Sequence, residues 1–179
     1  MDLSRLYTES AAQGPLPPVD QWHPPFCGDS EMRITHDGTW LHQGRPIERP
    51  AMVALFSRIL RKEGDSYFLV TPVEKLSIRV DDVPFIAVEM TRAVDGLMFR
   101  TQLGDTVMAG ADHPLRFDND TDGFRPYIEV RKGLFARLSR ALTQELVALS
   151  EVSDHQGAQW LGVRSGGVFF PMAPASSLF

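Results

Sequence analysis

The feature that most constrains this chain is an internal echo. Residues 44–60 carry Gly44-Arg45-Pro46-Ile47-Glu48 and then the run Leu55-Phe56-Ser57-Arg58-Ile59-Leu60. Residues 124–142 carry Phe124-Arg125-Pro126-Tyr127-Ile128-Glu129 and then Leu134-Phe135-Ala136-Arg137-Leu138. In both places an Arg-Pro pair and a glutamate lead to Leu-Phe, with an arginine two residues after the phenylalanine. Each block follows a turn signal, Asp37-Gly38 or Asp122-Gly123, and precedes an apolar stretch, Tyr67 to Val70 or Leu146 to Leu149. A chain made of two like units has a seam, and seams between domains are favoured positions for ligands.

With 179 residues there is room for one domain, or for two small ones sharing a core. A net charge of −5 supplies no field that would attract nucleic acid or an anionic membrane surface. The single cysteine, Cys27, cannot form an internal disulfide. No apolar run approaches the roughly 18 residues of a membrane-spanning helix. The N-terminal residues Asp2, Arg5 and Glu9 stand where a signal peptide needs apolar chain, so a cytoplasmic location is the default expectation.

Prolines 15, 17, 18, 24 and 25 set residues 1–30 apart as an arm. It reads as a short helix from Leu3 to Ala12, then extended chain that tucks Trp22 and Phe26 against the body. The first repeat is expected over 31–110, the second over 111–173, and a loose tail over 174–179. In the first, strands Met32 to Thr35 and Thr39 to His42 flank Asp37-Gly38. An amphipathic helix follows over 50–62, with Pro50 in its first turn and Gly64 at its end. Strands are expected at Tyr67 to Thr71, Lys75 to Val80, Val83 to Met90, Gly96 to Leu103 and Asp105 to Ala109. In the second repeat, a strand from Leu115 and another over Tyr127 to Val130 lead to a helix over 132–142 and a strand over Glu145 to Leu149. A last hairpin pairs Trp160 to Arg164 with Val168 to Met172 around Ser165-Gly166-Gly167. The fold class is α+β, duplicated and mainly antiparallel, with one helix per repeat, the helix at 50–62 superposing on that at 132–142.

Motifs with chemistry are few. Asp118-Asn119-Asp120-Thr121-Asp122-Gly123 with Glu129 matches the calcium-loop pattern of the EF-hand. An EF-hand needs a preceding helix, however, and His113-Pro114 with the apolar Leu115 to Phe117 stands there instead. Arg125 and Pro126 occupy the loop's apolar stretch, so an acidic hairpin loop is the better account and these carboxylates are rejected as metal ligands. His23 and Cys27, with His36 and His42, lack the paired spacing of structural zinc. Asp81-Asp82 would point to opposite faces of a strand, and Ser165-Gly166-Gly167 suits a hairpin tip. There is no nucleophile elbow, metalloprotease motif or phosphate-binding glycine loop, and no cofactor is implied. Arg45, Arg49, Arg125, Arg131 and Lys132 gather near the starts of the two predicted helices. Free N–H groups there attract anions and arginine adds bidentate contacts, although salt bridges to Glu48 and Glu129 are the better account of any single arginine.

Several strings together carry a family likeness: Tyr67-Phe68-Leu69-Val70-Thr71-Pro72-Val73-Glu74-Lys75, Asp82-Val83-Pro84-Phe85, Asp112-His113-Pro114-Leu115, Pro126-Tyr127-Ile128-Glu129-Val130-Arg131 and Ser165-Gly166-Gly167-Val168-Phe169-Phe170. In this order, over about residues 22–172, the chain resembles the bacterial domain-of-unknown-function family 1285. The resemblance implies a duplicated α+β core with a pleckstrin-homology-like second half, a site for a nucleotide-like molecule between the halves, and a signalling role. It brings no catalytic residues.

The expectation is a non-enzymatic binding module for a small anionic or nucleotide-like ligand at the seam. Lys75 and Arg131 would hold the anionic group, Thr71 would donate a hydrogen bond beside Glu74, and Trp22 would stack on a ring. These residues stitching the halves together is the plain alternative. A protein-interaction or dimerisation scaffold is the second reading, and an enzyme acting on a nucleotide or acyl compound the third.

Overall fold

The computed structural model describes residues 14–120 and 123–178, so the helix read at Leu3 to Ala12 lies outside the described residues. The chain divides into two units, one ending at Pro84 and the other beginning at Phe85. The sequence reading draws its boundary after residue 110.

The first unit is built on strands β1 (Phe26–Ile34), β2 (Trp40–His42), β3 (Arg45–Pro46), β4 (Leu60–Glu63), β5 (Ser66–Val70) and β6 (Lys75–Val80), with helix α1 (Pro50–Arg58) between β3 and β4. Their order across the sheet is β3-β2-β1-β6-β5-β4. Two meanders therefore meet at the centre, where β1 and β6 run parallel and Ile34 pairs with Val80. In β1 every second residue is buried, Ser30, Met32 and Ile34, as a half-covered strand requires. Helix α1 starts on Pro50, whose missing N–H costs nothing there, and buries Leu55 and Phe56.

The expected helix over 50–62 stops at Arg58. Ile59 and Leu60 fit either period, and the ladder decides: Val70 N donates to Ile59 O at 2.9 Å, and Leu60 pairs with Leu69. Gly64, with φ of 56°, turns the β4–β5 hairpin instead of ending the helix. Phe26 is also corrected. It is 60% exposed and meets Phe68 edge-on, with centroids 6.2 Å apart. Trp22 is half-buried. The arm is strapped down by arginines: Arg61 donates to the carbonyls of Val19 and Trp22 at 2.7 and 2.8 Å, and Arg58 to those of Gly14 and Pro15 at 2.7 and 2.6 Å.

The second unit carries β7 (Phe85–Ala93), β8 (Gly96–Thr101), β9 (Thr106–Met108), β10 (Leu115–Asp120), β11 (Gly123–Arg131) and β12 (Leu134–Leu138), then helix α2 (Arg140–Ala148) and a separate three-stranded sheet, β13 (Glu151–His155), β14 (Ala158–Ser165) and β15 (Val168–Pro174). Its large sheet has the order β10-β11-β12-β7-β8-β9. Numbered within each unit, both sheets run third, second, first, sixth, fifth, fourth. In both, the first strand lies parallel to the last, here Leu138 opposite Ala87. The duplicated α+β fold is thus present, with one α-helix per half among the described residues, and it resides in the sheet order.

The helix correspondence is not. The segment 132–142, read as a helix, holds β12 at its centre, in which Leu134, Ala136 and Leu138 are buried in alternation, and only its last three residues enter α2. Lys132 and Gly133, with φ of 35° and 77°, turn the chain tightly into it. The segment Glu145 to Leu149, read as a strand, belongs to α2 and its end; Leu142 and Leu146 share the buried face. Leu55-Phe56 therefore sits on a helix and Leu134-Phe135 on a strand, so the echo and the structural repeat are different things. Helix α1 interrupts its sheet after the third strand, whereas α2 follows the sixth.

The tip of the β14–β15 hairpin is locked against β8 and the chain after β9. Ser165 Oγ donates to Ala109 O at 2.7 Å and accepts from Leu97 N at 2.8 Å, while Gly166 N donates to Asp95 O at 2.9 Å. A Cβ on Gly96 would come 2.4 Å from Ser165 Oγ. The Ser-Gly-Gly string is a structural weld. Among the described residues no helix is long and apolar enough to cross a membrane.

Candidate functional site

Where β12 hands over to α2, the second unit gathers positive charge. Ser139 has extended backbone angles and its Oγ accepts from Leu142 N at 3.4 Å, so it caps the helix. Its own N–H donates to Ala87 O at 3.0 Å, fixing the helix start against the central strand β7. Thr143 Oγ1 donates to Ser139 O at 3.0 Å. The amides of Arg140 and Ala141 head the helix, where no intrahelical acceptor exists.

A cavity of about 300 Å³ opens at this point. Arg125 of β11, Arg137 of β12 and Arg140 of α2 line it, with Ile86, Phe124 and Pro126 as its apolar side, and among the described residues no carboxylate lines it. Arg137 pairs with Tyr127, so Arg125, two residues before Tyr127, lies on the same face one diagonal step away. Asp118 stands opposite Arg125 in the ladder and ion-pairs with Arg116 at 3.3 Å. Arg125 and Arg137 also interact with neighbouring groups. Arg140 is exposed and has no ion-pair partner among the described residues. Guanidinium groups at the positive end of a helix favour an anion.

The residues singled out from sequence fall into two settings. Thr71, Glu74 and Lys75 come together at the β5–β6 turn. There Thr71 Oγ1 donates to Glu74 O at 3.3 Å and accepts from the amides of Glu74 and Val73 at 3.1 and 3.3 Å. Lys75 Nζ bonds Glu63 at 2.9 Å and lies 4.8 Å from the centre of the Phe68 ring. Glu63 also accepts from Arg61. The Lys75 hydrogen bond, helped by Arg61 and opposed by partial burial, holds the Glu63 carboxyl below the usual carboxylate range. Arg131, in the second unit, bonds Asp105 at 2.6 Å and sits 5.1 Å from the centre of the Phe85 ring. Both cations expected to grip a ligand thus already hold carboxylates within their own units.

The calcium-like string lies on a β-hairpin: Asp118 opposes Arg125 and Asp120 opposes Gly123, with Asp122 outside the described residues. Glu129 accepts from Gly133 N at 2.6 Å and so fastens the β11–β12 turn. Arg137 and Arg140 escaped the sequence reading because the helix was placed eight residues too early. Ser139 ahead of the four-residue spacing of Leu142 and Leu146 was the legible start signal.

Two family descriptions match the chain in tandem. "Domain of unknown function (DUF1285), N-terminal domain" covers residues 17–83, and "Protein of unknown function (DUF1285), C-terminal domain" covers residues 84–172. The junction agrees with the division at Pro84. A crystal structure of a DUF1285 family protein from Silicibacter pomeroyi DSS-3 is similar at 46% identity and a TM-score of 0.85, over 93% of this chain and 92% of that one. A DUF1285 family protein from Shewanella baltica OS155 is similar at 29% identity and a TM-score of 0.54, over 65% of this chain and 90% of that one. No curated protein matches.

Proposed function

The chain belongs to the DUF1285 family, and from that premise we propose that it is a non-enzymatic module that binds a small anionic or nucleotide-like ligand in the arginine-lined cavity of its second unit. The observation that carries this reading is the convergence of Arg125, Arg137 and Arg140 on the start of α2. A phosphoryl or carboxylate group would take bidentate contacts from the guanidinium groups and the open amides of the helix. Its less polar part would rest on Phe124 and Pro126. A signalling role fits a protein that reports a ligand without transforming it. The pleckstrin-homology-like reading of this unit draws on antiparallel strands followed by a single helix.

The test is calorimetric titration with inorganic phosphate, pyrophosphate and mononucleotides, followed by thermal shift. A ligand at a hundred times its dissociation constant adds about 2.7 kcal/mol of stability. Replacing both Arg137 and Arg140 by Gln should weaken it at least about a hundredfold, since each charge-assisted hydrogen bond contributes about 1.5–3 kcal/mol. Undiminished binding by that variant defeats the assignment. The same titration weighs the set proposed from sequence, Trp22, Thr71, Glu74, Lys75 and Arg131: loss of binding in Lys75→Met, with stability intact, would move the site there. The scaffold reading draws on β13, an edge strand on which Val152 is 54% exposed.

A further inference from the structure

We propose that the first unit holds a second, chemically different ligand cavity, suited to a monocarboxylate with a hydrocarbon body. The cavity measures about 520 Å³ and lies where the β2–β3 hairpin meets α1. Met32, Ile47, Met52 and Phe56 give it apolar walls, and His42 and Arg45 stand at its polar end. Met32 and His42 are directly paired across β1 and β2, and Arg45 is paired with His42 across β2 and β3, so adjoining ladder positions set the apolar wall next to the cation. Among the described residues no carboxylate lines the cavity. Neither Arg45 nor His42 has an ion pair or side-chain hydrogen bond among the described residues.

This composition selects a class of ligand. One exposed guanidinium matches a single negative charge, unlike the three that line the second unit's cavity. Two methionines give walls that adapt to a flexible chain better than to a rigid ring. The volume lies within the range of small-molecule sites. Behind the wall, Trp40 stacks on Phe56 with ring centres 6.5 Å apart and planes 17° apart. Its Nε1 is buried without a partner among the described residues. Filling the cavity changes the packing of Phe56, and Trp40 emission should report it.

The chain has three tryptophans, so the probe is Trp40 in a Trp22→Phe/Trp160→Phe background, titrated with decanoate below its micellar concentration and, in parallel, with decanol. Saturable change in Trp40 emission by decanoate is expected. Arg45→Gln should weaken decanoate at least tenfold and leave decanol unchanged, because the exposed arginine serves only the charged head. Met52→Trp, which fills the cavity from a half-buried helix position, should abolish decanoate binding by calorimetry with the helical circular dichroism intact. The Arg137→Gln/Arg140→Gln variant should bind decanoate like the parent. No saturable response at millimolar decanoate, equal weakening of decanoate and decanol, or unaltered binding by Met52→Trp each overturns the proposal. Loss of decanoate binding in the Arg137/Arg140 variant overturns it too, by placing the ligand in the other cavity.

Discussion

The two units share one sheet plan and differ in where a helix was added. In the first, α1 stands between the third and fourth strands; in the second, α2 follows the sixth, and a further three-stranded sheet comes after it. The difference shows that the sheet order does not depend on the helix. It depends on the parallel contact of first and last strands, which both units make. What the helix does determine is the local chemistry. Helix α1 starts on a proline with no side-chain cap, and its cavity combines apolar walls with His42, Gln43 and a single arginine. Helix α2 starts under a serine cap, and its cavity is lined by three arginines.

The sharpest break between the units should come at their glycines. Gly96→Val is expected to cost about 3 kcal/mol or more, because a Cβ there would lie 2.4 Å from Ser165 Oγ and 2.7 Å from Gly166 N, and the second unit's weld cannot yield without losing buried hydrogen bonds. Gly44→Ala in the first unit should cost only about 1 kcal/mol, since its φ of 75° strains the backbone while nothing lies within 4 Å of the added carbon. Urea midpoints of the two variants measure both. Equal losses would remove the distinction between a crowded and an open glycine.

The helix starts should differ by less. Ser139→Ala removes the cap of α2 and should cost about 1 kcal/mol, whereas Arg49→Ala at the α1 cap should be nearly neutral, because the Arg49 side chain makes no capping hydrogen bond. Thermal denaturation of both variants decides this, and a substantial loss in Arg49→Ala would make the two starts equivalent.

The smallest effect is acid sensitivity in the first unit. Glu63 is held below the usual carboxylate range chiefly by Lys75, and Asp81 chiefly by Arg33, which bonds it at 2.7 and 2.8 Å. A carboxyl with a lowered folded pKa stabilises the protein above its unfolded value, and that stability disappears as pH falls through the folded value. Glu63→Gln and Asp81→Asn should therefore each flatten the loss of stability below the usual carboxylate range. These groups are partly exposed, so the effect should stay under about 1 kcal/mol. Denaturant midpoints between neutral and acid pH give the slope, and unchanged slopes in both variants would show that neither pair matters.

Local patterns were legible in the sequence where one element decided its own form. The Asp37-Gly38 hairpin, the alternation of Lys75 to Val80 and the final hairpin around Gly166-Gly167 stand as read. Reading failed where the residues suit two periods and a distant partner chooses. Leu60 was drawn from helix to strand by β5, and Leu134 to Leu138 by β11 and β7. The strand order that the two sheets share was not visible, because it rests on the pairing of Ile34 with Val80 and of Leu138 with Ala87, contacts that leave no local trace. The candidate site suffered for the same reason. The misplaced helix drew attention to Arg131 and Lys132 beside Arg125, and away from Arg137 and Arg140.

The parallel pairing of first and sixth strands also dictates an order of assembly. Neither large sheet can be completed until its last strand has been synthesised, so β1 must wait for β6, and β7 for β12. Each meander can form early from neighbouring residues, but joining the two requires closing a long loop, whose entropic cost is met before the central contacts reward it. Until then β1 and β7 present unpaired edges to any other nascent chain. Refolding should accordingly be slow for a protein of this size, and slowest in the step that joins the halves of each sheet.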